Sequence, residues 1–429
     1  MTLPLKKGEE SKRRTKTLIL TYYYSPEPNF ITQDVANALA EASDVTVITT
    51  HPNFPGGKFY DGYPFWRPER SREGSVTVWR LPHLPDRSTS KLRRALSYLS
   101  FAIVASLFAP FVAGKPRLVW VYQTPFTTAL AALFFKYAYG SKLAFTTVDL
   151  WPENFVAVGL TKPGRLTDLL FRYRRFINRQ ADVHLCCSRS AVQRYIADGL
   201  PPQHTHFVPV WVEGIPSELP TSIQRPPRRN IVYAGTLGPS QPIDTIVRGA
   251  AQLLHEEPDV TFDIFSTGVN ESDLRALAVA LGATNVRFHG RVSPSVAFDM
   301  SAAAFAQIIT LRSTPLFEMV IPSKLYLGLA AGSPILAGLR GEAAEMIATS
   351  GAGILFDAES IDSFCSAVRG LLRKADTERE AMGQQMRRYF RANFRREKTL
   401  DRYQTLLLTM TEAPGYRADS VGVNAGSTS

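Results

Sequence analysis

Apolar and polar positions along this chain alternate between a strand period and a helix period. Thr17–Tyr22 is an apolar, β-rich run that breaks at Ser25-Pro26-Glu27-Pro28-Asn29. A helical pattern from Thr32 to Ala42 and a second apolar run at Val45–Thr49 follow. A strand, loop, helix and strand in that order predict a parallel pair joined by a right-handed crossover. Further strands read at Val76–Leu81, Leu118–Tyr122, Leu143–Thr147 and Val183–Cys187, with helical segments between several of them. The series predicts a doubly wound α/β domain.

Pro209, Pro216, Pro220, Pro226 and Pro227 then interrupt the pattern, and residues 209–229 read as a linker between domains. A second alternating series begins at Asn230–Gly235. It continues through strands at Val260–Ser266, Val286–His289, Ala306–Thr310 and Pro334–Ala337, with helices between them. The expected organisation is a basic tail over 1–16, a Rossmann-like domain over 17–208 and a second over 230–390. A helix over 391–411 and a polar, disordered tail over 412–429 complete it. Two such domains predict ligand binding in a cleft, at the C-terminal ends of the strands.

Composition narrows the partners. The 429 residues are 45% hydrophobic and 20% charged, as for a globular chain of two domains. The net charge of +11 calls for an acidic partner: nucleic acid, anionic lipid or a nucleotide diphosphate. Nucleic acid is set aside. Basic and aromatic residues interleave only at Phe171-Arg172-Tyr173-Arg174-Arg175-Phe176, inside an amphipathic pattern that reads as a solvated helix face. Cys186, Cys187 and Cys365 form neither a metal spacing nor a disulfide framework. With no secretory signal in the pattern, a reducing, cytoplasmic setting is expected.

Residues 95–114 are uncharged and long enough to span a bilayer by the criterion of roughly 20 residues. Spanning would place two parts of one sheet on opposite sides of a membrane, so that reading is rejected. Either a fully buried helix or a monotopic helix at the membrane interface fits the run. Arg87, Lys91, Arg93, Arg94, Lys115 and Arg117 flank it and favour the second, peripheral on an anionic surface.

Four loops at strand ends carry chemistry. Ser25–Phe30 lacks the glycines of a phosphate cradle, so Glu27 and Asn29 read as polar contacts to an acceptor, beside the alternative of a proline-stiffened turn. In Thr147-Val148-Asp149-Leu150-Trp151, an acid beside an aromatic suits sugar hydroxyls. Asp149 could serve as a general base or simply cap a helix. Gly235 and Gly238 in Tyr233–Gln241 permit close backbone approach to an anion. In Phe317–Gly332, Glu318 precedes a Pro322-Ser323-Lys324 step at a helix start, where amides, dipole and a lysine converge on one anion site. The histidines and acids show neither a metal spacing nor a DxD cluster.

Pro26-Glu27-Pro28-Asn29-Phe30, His51-Pro52-Asn53-Phe54-Pro55-Gly56-Gly57-Lys58, Asp149-Leu150-Trp151-Pro152-Glu153, Tyr233–Gly238 and Ile321-Pro322-Ser323-Lys324 stand in one order. Through them the chain, from Thr17 to Leu408, resembles the family 4 retaining glycosyltransferases of the GT-B fold. Within that family it resembles the exopolysaccharide and O-antigen branch of WbuB-like and WcaI-like enzymes. The resemblance implies a sugar nucleotide on the second domain, a lipid-linked or saccharide acceptor on the first, and a C-terminal helix crossing back. It also implies metal-independent transfer with retention, without a cofactor, at the inner face of the plasma membrane. Carried across, Gly235, Thr236, Ser323, Lys324 and Leu325 line the diphosphate. Glu318 meets the donor sugar, Asp149 acts with Lys324 and Glu318 in catalysis, and Asn29, Glu27 and Trp151 meet the acceptor.

The chain departs from that family at two places. Thr236 stands where many relatives carry Arg or Asn and Gln241 where they carry Lys or Gln, so the paired cations are absent, and Leu327 stands where relatives carry a glutamate that bonds the ribose. Besides an active transferase, these departures allow a weakened or inactive GT-B binding subunit; a sugar-nucleotide epimerase is the third reading.

Overall fold

The computed structural model describes residues 14–28, 30–54, 56–64, 66–86, 90–153, 164–219 and 229–412. The expected tails, up to residue 13 and from 413, lie outside the described residues, as does 220–228 of the linker.

The chain forms an α/β fold with two sheets. The first contains β1 (Thr15–Leu20), β2 (Ser43–Thr50), β3 (Glu69–Glu73), β4 (Val76–Leu81), β5 (Leu118–Tyr122), β6 (Lys142–Thr147), β7 (Val183–Cys186) and β8 (Thr205–Phe207). Their order is β3-β4-β2-β1-β5-β6-β7-β8. β1 pairs parallel with both β2 and β5, so the winding reverses between β1 and β5. β3 is a strand that hydrophobic patterning does not reveal: Glu69-Arg70-Ser71-Arg72-Glu73 has no apolar residue. It pairs antiparallel with β4 at the sheet edge, where charged residues discourage further strand addition.

The second sheet contains β9 (Arg229–Thr236), β10 (Val260–Thr267), β11 (Val286–Phe288), β12 (Ala306–Thr310), β13 (Ile335–Gly338) and β14 (Gly353–Leu355), in the order β11-β10-β9-β12-β13-β14. All its pairings are parallel. The chain winds outward from β9 in one direction and then from β12 in the other, which is the order of dinucleotide-binding sheets with their switch point at β9 and β12. Ile231 and Tyr233 of β9 pack with Phe262 and Ile264 of β10, Ile246 and Val247 of helix Ile243–Leu253, and Phe364 and Val368 of helix Ile361–Leu372.

Two compact units share the chain: residues 1–146, 177–184 and 403–429 in one, residues 147–176 and 185–402 in the other. The last helix, Arg396–Glu412, enters the first unit at Tyr403. There the Tyr403 ring packs on Trp120 and Gln404 Nε2 donates to Ala38 O at 2.9 Å. That is the return of the C-terminal helix expected of a GT-B chain. In the second unit Arg174 is buried, not solvated, and pairs with Glu153 and Asp198.

The apolar run forms helix Lys91–Val112, with Ser90 as its N-cap. It is not a fully buried helix. Phe101, Ala102, Ala105 and Ala109 face the core, and Ser97 Oγ bonds Tyr22 Oη at 2.6 Å. Leu92, Leu96, Leu99, Ile103, Leu107 and Phe111 form an exposed stripe along the opposite side, with Phe111 86% exposed. Their spacing of three or four residues keeps them on one helical face.

Candidate active site

At the switch point of the second sheet the candidate residues of the second unit gather. β9 is buried from Ile231 to Tyr233 and emerges through Gly235 to an exposed Thr236. Its following loop is fastened through its carbonyls. Ser266 Oγ donates to Gly235 O, Tyr233 Oη to Thr236 O at 2.7 Å, and the Asn270 amide to Leu237 O at 3.3 Å. Gly268 makes this possible, because a Cβ there would lie within 3.0 Å of the Leu237 backbone. From the end of β12 the Arg312 amide donates to Ser240 O at 2.9 Å and its Nε to Pro239 O at 2.8 Å. The two strands at the reversal therefore have their loops bonded to each other. Arg312 is a cation at this rim, held by Glu359 at 3.2 Å and Asp244 at 3.6 Å.

Pro322 opens helix Ser323–Ala331, and its ring fixes φ at −65°. Ser323 is exposed at the first turn. Lys324 turns back across Gly235, passing where a Cβ would sit, and its Nζ donates to Tyr233 Oη at 2.7 Å. Burial pushes the Lys324 amine down to about 7. The structure thus brings Gly235, Thr236, Ser323 and Lys324 together. Leu325 has a different part from the one expected of it. Its side chain is fully buried and its amide donates to Pro322 O at 2.8 Å, so it anchors the helix start instead of facing an anion.

Glu318 is exposed at the end of the short helix Pro315–Glu318, capped by Thr314. Gly341, at φ +59°, lets helix Gly341–Ser350 approach the Glu318 backbone more closely than a side chain would allow. Leu150, the neighbour of Asp149, shares an apolar cluster with Leu316, Cys186 and Tyr195, against which Phe317 and Met319 pack. Ser188 Oγ donates to Met319 O at 2.6 Å. Burial, with the Asp149 charge adding to it, pushes the Cys187 thiol up to about 12. One cluster thus unites the Asp149 and Glu318 segments. Glu342 completes it: its carboxylate accepts from the Arg189 and Ser190 amides at 2.9 and 2.7 Å, at the start of helix Arg189–Ala197.

Comparison with known proteins agrees with this architecture. Residues 28–211 match the glycosyl transferase 4-like domain, and residues 228–374 match the glycosyl transferases group 1 domain. The chain belongs to the family 4-like glycosyltransferases. The putative colanic acid biosynthesis glycosyl transferase WcaI of Escherichia coli is 27% identical to this transferase over 384 residues, covering 83% of this chain and 92% of WcaI. The probable glycosyltransferase WbjE of Pseudomonas aeruginosa is 26% identical over 57% of this chain and 63% of its own. HepE of Anabaena, solved in complex with UDP, has the same fold at a TM-score of 0.65 and 12% identity, covering 92% of this chain and 100% of HepE.

The transferase's first unit carries the loop after β1, read as acceptor-facing. Glu27 is 5% exposed, and its carboxylate accepts from the amides of Tyr24 at 3.3 Å, Asn53 at 2.7 Å and Phe54 at 2.8 Å. It ties the loop after β1 to the His51–Gly57 loop after β2, so its carboxylate serves the fold and not an open acceptor surface. Asn53 Nδ2 in turn donates to His51 O and pairs with His83 Nε2 at 3.0 Å. Burial takes His83 down to about 3, which leaves its imidazole neutral at physiological pH. Asn29 lies outside the described residues. Trp151 is half-buried in the second unit, beside Asp149. Tyr233, Gly268 and Arg312 shape the candidate site without having been singled out from the sequence.

Proposed function

We propose that this glycosyltransferase moves a sugar from a nucleotide-diphosphate sugar to a lipid-linked or saccharide acceptor in surface-polysaccharide biosynthesis. The carrying observation is Lys324, led across Gly235 at the switch point of the second sheet. A diphosphate docked there would face the start of helix Ser323–Ala331 and one ammonium. As the bond to the sugar breaks, negative charge accumulates on the leaving diphosphate, and a fixed cation and helix dipole stabilise it. Glu318, exposed at the end of helix Pro315–Glu318, is assigned to the donor sugar, and Asp149 to the reacting centre. Retention of configuration and independence from metal rest on the family resemblance; product stereochemistry and turnover in excess EDTA test them. The reading as a whole fails if washed membranes containing the protein transfer no label from UDP-, GDP- or dTDP-sugars.

The exposed stripe Leu92–Phe111 supports a peripheral position on the cytoplasmic membrane face. Its end residues Leu107 and Phe111 would each gain about 1.5–3 kcal/mol on full burial, and Arg93, Lys115 and Arg117 stand ready for anionic headgroups.

Leu327 supports a second reading, a nucleotide-binding subunit that no longer turns over. It lies one helical turn beyond Lys324 and has no hydrogen bond to offer a ribose. Calorimetric binding of UDP or GDP without transfer, with activity gained on Leu327→Glu, would favour it.

A further inference from the structure

Tyr233 is buried in the core of the second sheet, yet its hydroxyl reaches the candidate site. A phenol has one proton to give. Here the proton goes to the Thr236 carbonyl at 2.7 Å. The lone pairs that remain face Lys324 Nζ, also at 2.7 Å. The hydroxyl is therefore an obligate acceptor toward the lysine, and it joins the loop after β9 to the helix that begins at Ser323. Burial pushes the Tyr233 phenol well above its ordinary value, so it stays neutral and contributes no charge.

We propose that Tyr233 is the positioning residue for Lys324, holding its amine over Gly235 so that its remaining protons are presented to the diphosphate of the bound nucleotide. This rests on the nucleotide-sugar reading above. A free lysine side chain carries rotamer entropy that binding would otherwise have to overcome. Held by Tyr233, the side chain is ordered before the ligand arrives. The acceptor also favours the ammonium form in a site whose burial opposes it. Elements packed on helix Ser323–Ala331 bring no carboxylate against Nζ among the described residues. β12 supplies the neutral Gln307 amide to Gly328 O, Arg387 of helix Asp376–Asn393 bonds Ala331 O at the far end, and Asp299 of helix Pro294–Ala303 is exposed.

Tyr233→Phe keeps the buried ring and removes only the hydroxyl. The first measurement needs no ligand: the pH dependence of Lys324 acylation by acetic anhydride, followed by peptide mass spectrometry. Wild type should break near pH 7, and Tyr233→Phe should break at lower pH, because the ammonium loses its hydroxyl acceptor and keeps only the ring face, 4.4 Å from Nζ. The second is calorimetry with UDP and with GDP between pH 6 and 9, in two buffers of different ionisation enthalpy. Wild type should take up a proton on binding above pH 7. Tyr233→Phe should bind about tenfold more weakly at pH 6.5, the loss of one hydrogen bond to a charged group. Lys324→Gln should bind without proton uptake. A merely structural tyrosine would lower the melting temperature and leave the acylation break in place. An unchanged break in Tyr233→Phe overturns the proposal whatever the nucleotides do. A shifted break with no binding of UDP or GDP to wild type keeps the Tyr233–Lys324 pair and overturns the nucleotide reading and the positioning role for its diphosphate.

Discussion

Gly235→Ala puts one methyl group into the path of Lys324. The new Cβ would fall well under 3.0 Å from Lys324 Cε and Nζ, a separation that real Cβ atoms do not adopt. The obstructed atoms are the free end of a long side chain, so the lysine leaves and the strand stays. Alanine also meets a backbone at φ +156°, which adds strain of about 1–3 kcal/mol to folding. Displacing the ammonium removes a charge-assisted contact worth about 1.5–3 kcal/mol, or roughly 10–150-fold in nucleotide affinity. Stability and affinity fall together in the single variant, and a double-mutant cycle separates them. Calorimetry with UDP and GDP at pH 6.5, where the amine is cationic, compares wild type, Gly235→Ala, Lys324→Ala and the double variant. In the Lys324→Ala background the methyl group obstructs nothing, so adding Gly235→Ala should change affinity little. Additive losses in the double variant would show that Gly235 acts on the ligand without passing through Lys324, and the reasoning would be refuted.

Glu27→Gln removes the charge that gathers the Tyr24, Asn53 and Phe54 amides; a loss of about 1.5–3 kcal/mol is expected in urea unfolding, with nucleotide affinity unchanged. Glu342→Ala frees two amides at the start of helix Arg189–Ala197 and should cost about 1.5–3 kcal/mol, read as faster hydrogen exchange at Arg189 and Ser190; wild-type protection there would contradict the cap. Leu107→Glu with Phe111→Glu should abolish flotation with vesicles containing phosphatidylglycerol while leaving the melting temperature within a few degrees, since both side chains already face solvent. Equal flotation of variant and wild type would remove the stripe from any membrane role.

Much of the fold was legible because its signals are local. Buried parallel strands leave short apolar runs, and Pro322 and Gly332 mark both ends of one helix within the segment itself. β3 was hidden for the same reason: its five polar residues become a strand only because β4 lies beside them. The site divides along this line too. Lys324 after Pro322 is visible as an anion contact from sequence neighbours alone. Glu27 is not readable in that way, because a carboxylate aimed at a ligand and one aimed at amides 26 and 27 residues away look alike on paper. The stripe on helix Lys91–Val112 is intermediate. Its apolarity is plain, but only the packing of Ser97 and Phe101 shows which face is left exposed. Tyr233 is the extreme case. On β9 it is indistinguishable from any inward-facing core residue, and its hydroxyl gains a use through a lysine 91 residues further along the chain. Residues of this kind pass for packing in a sequence and for chemistry in a structure.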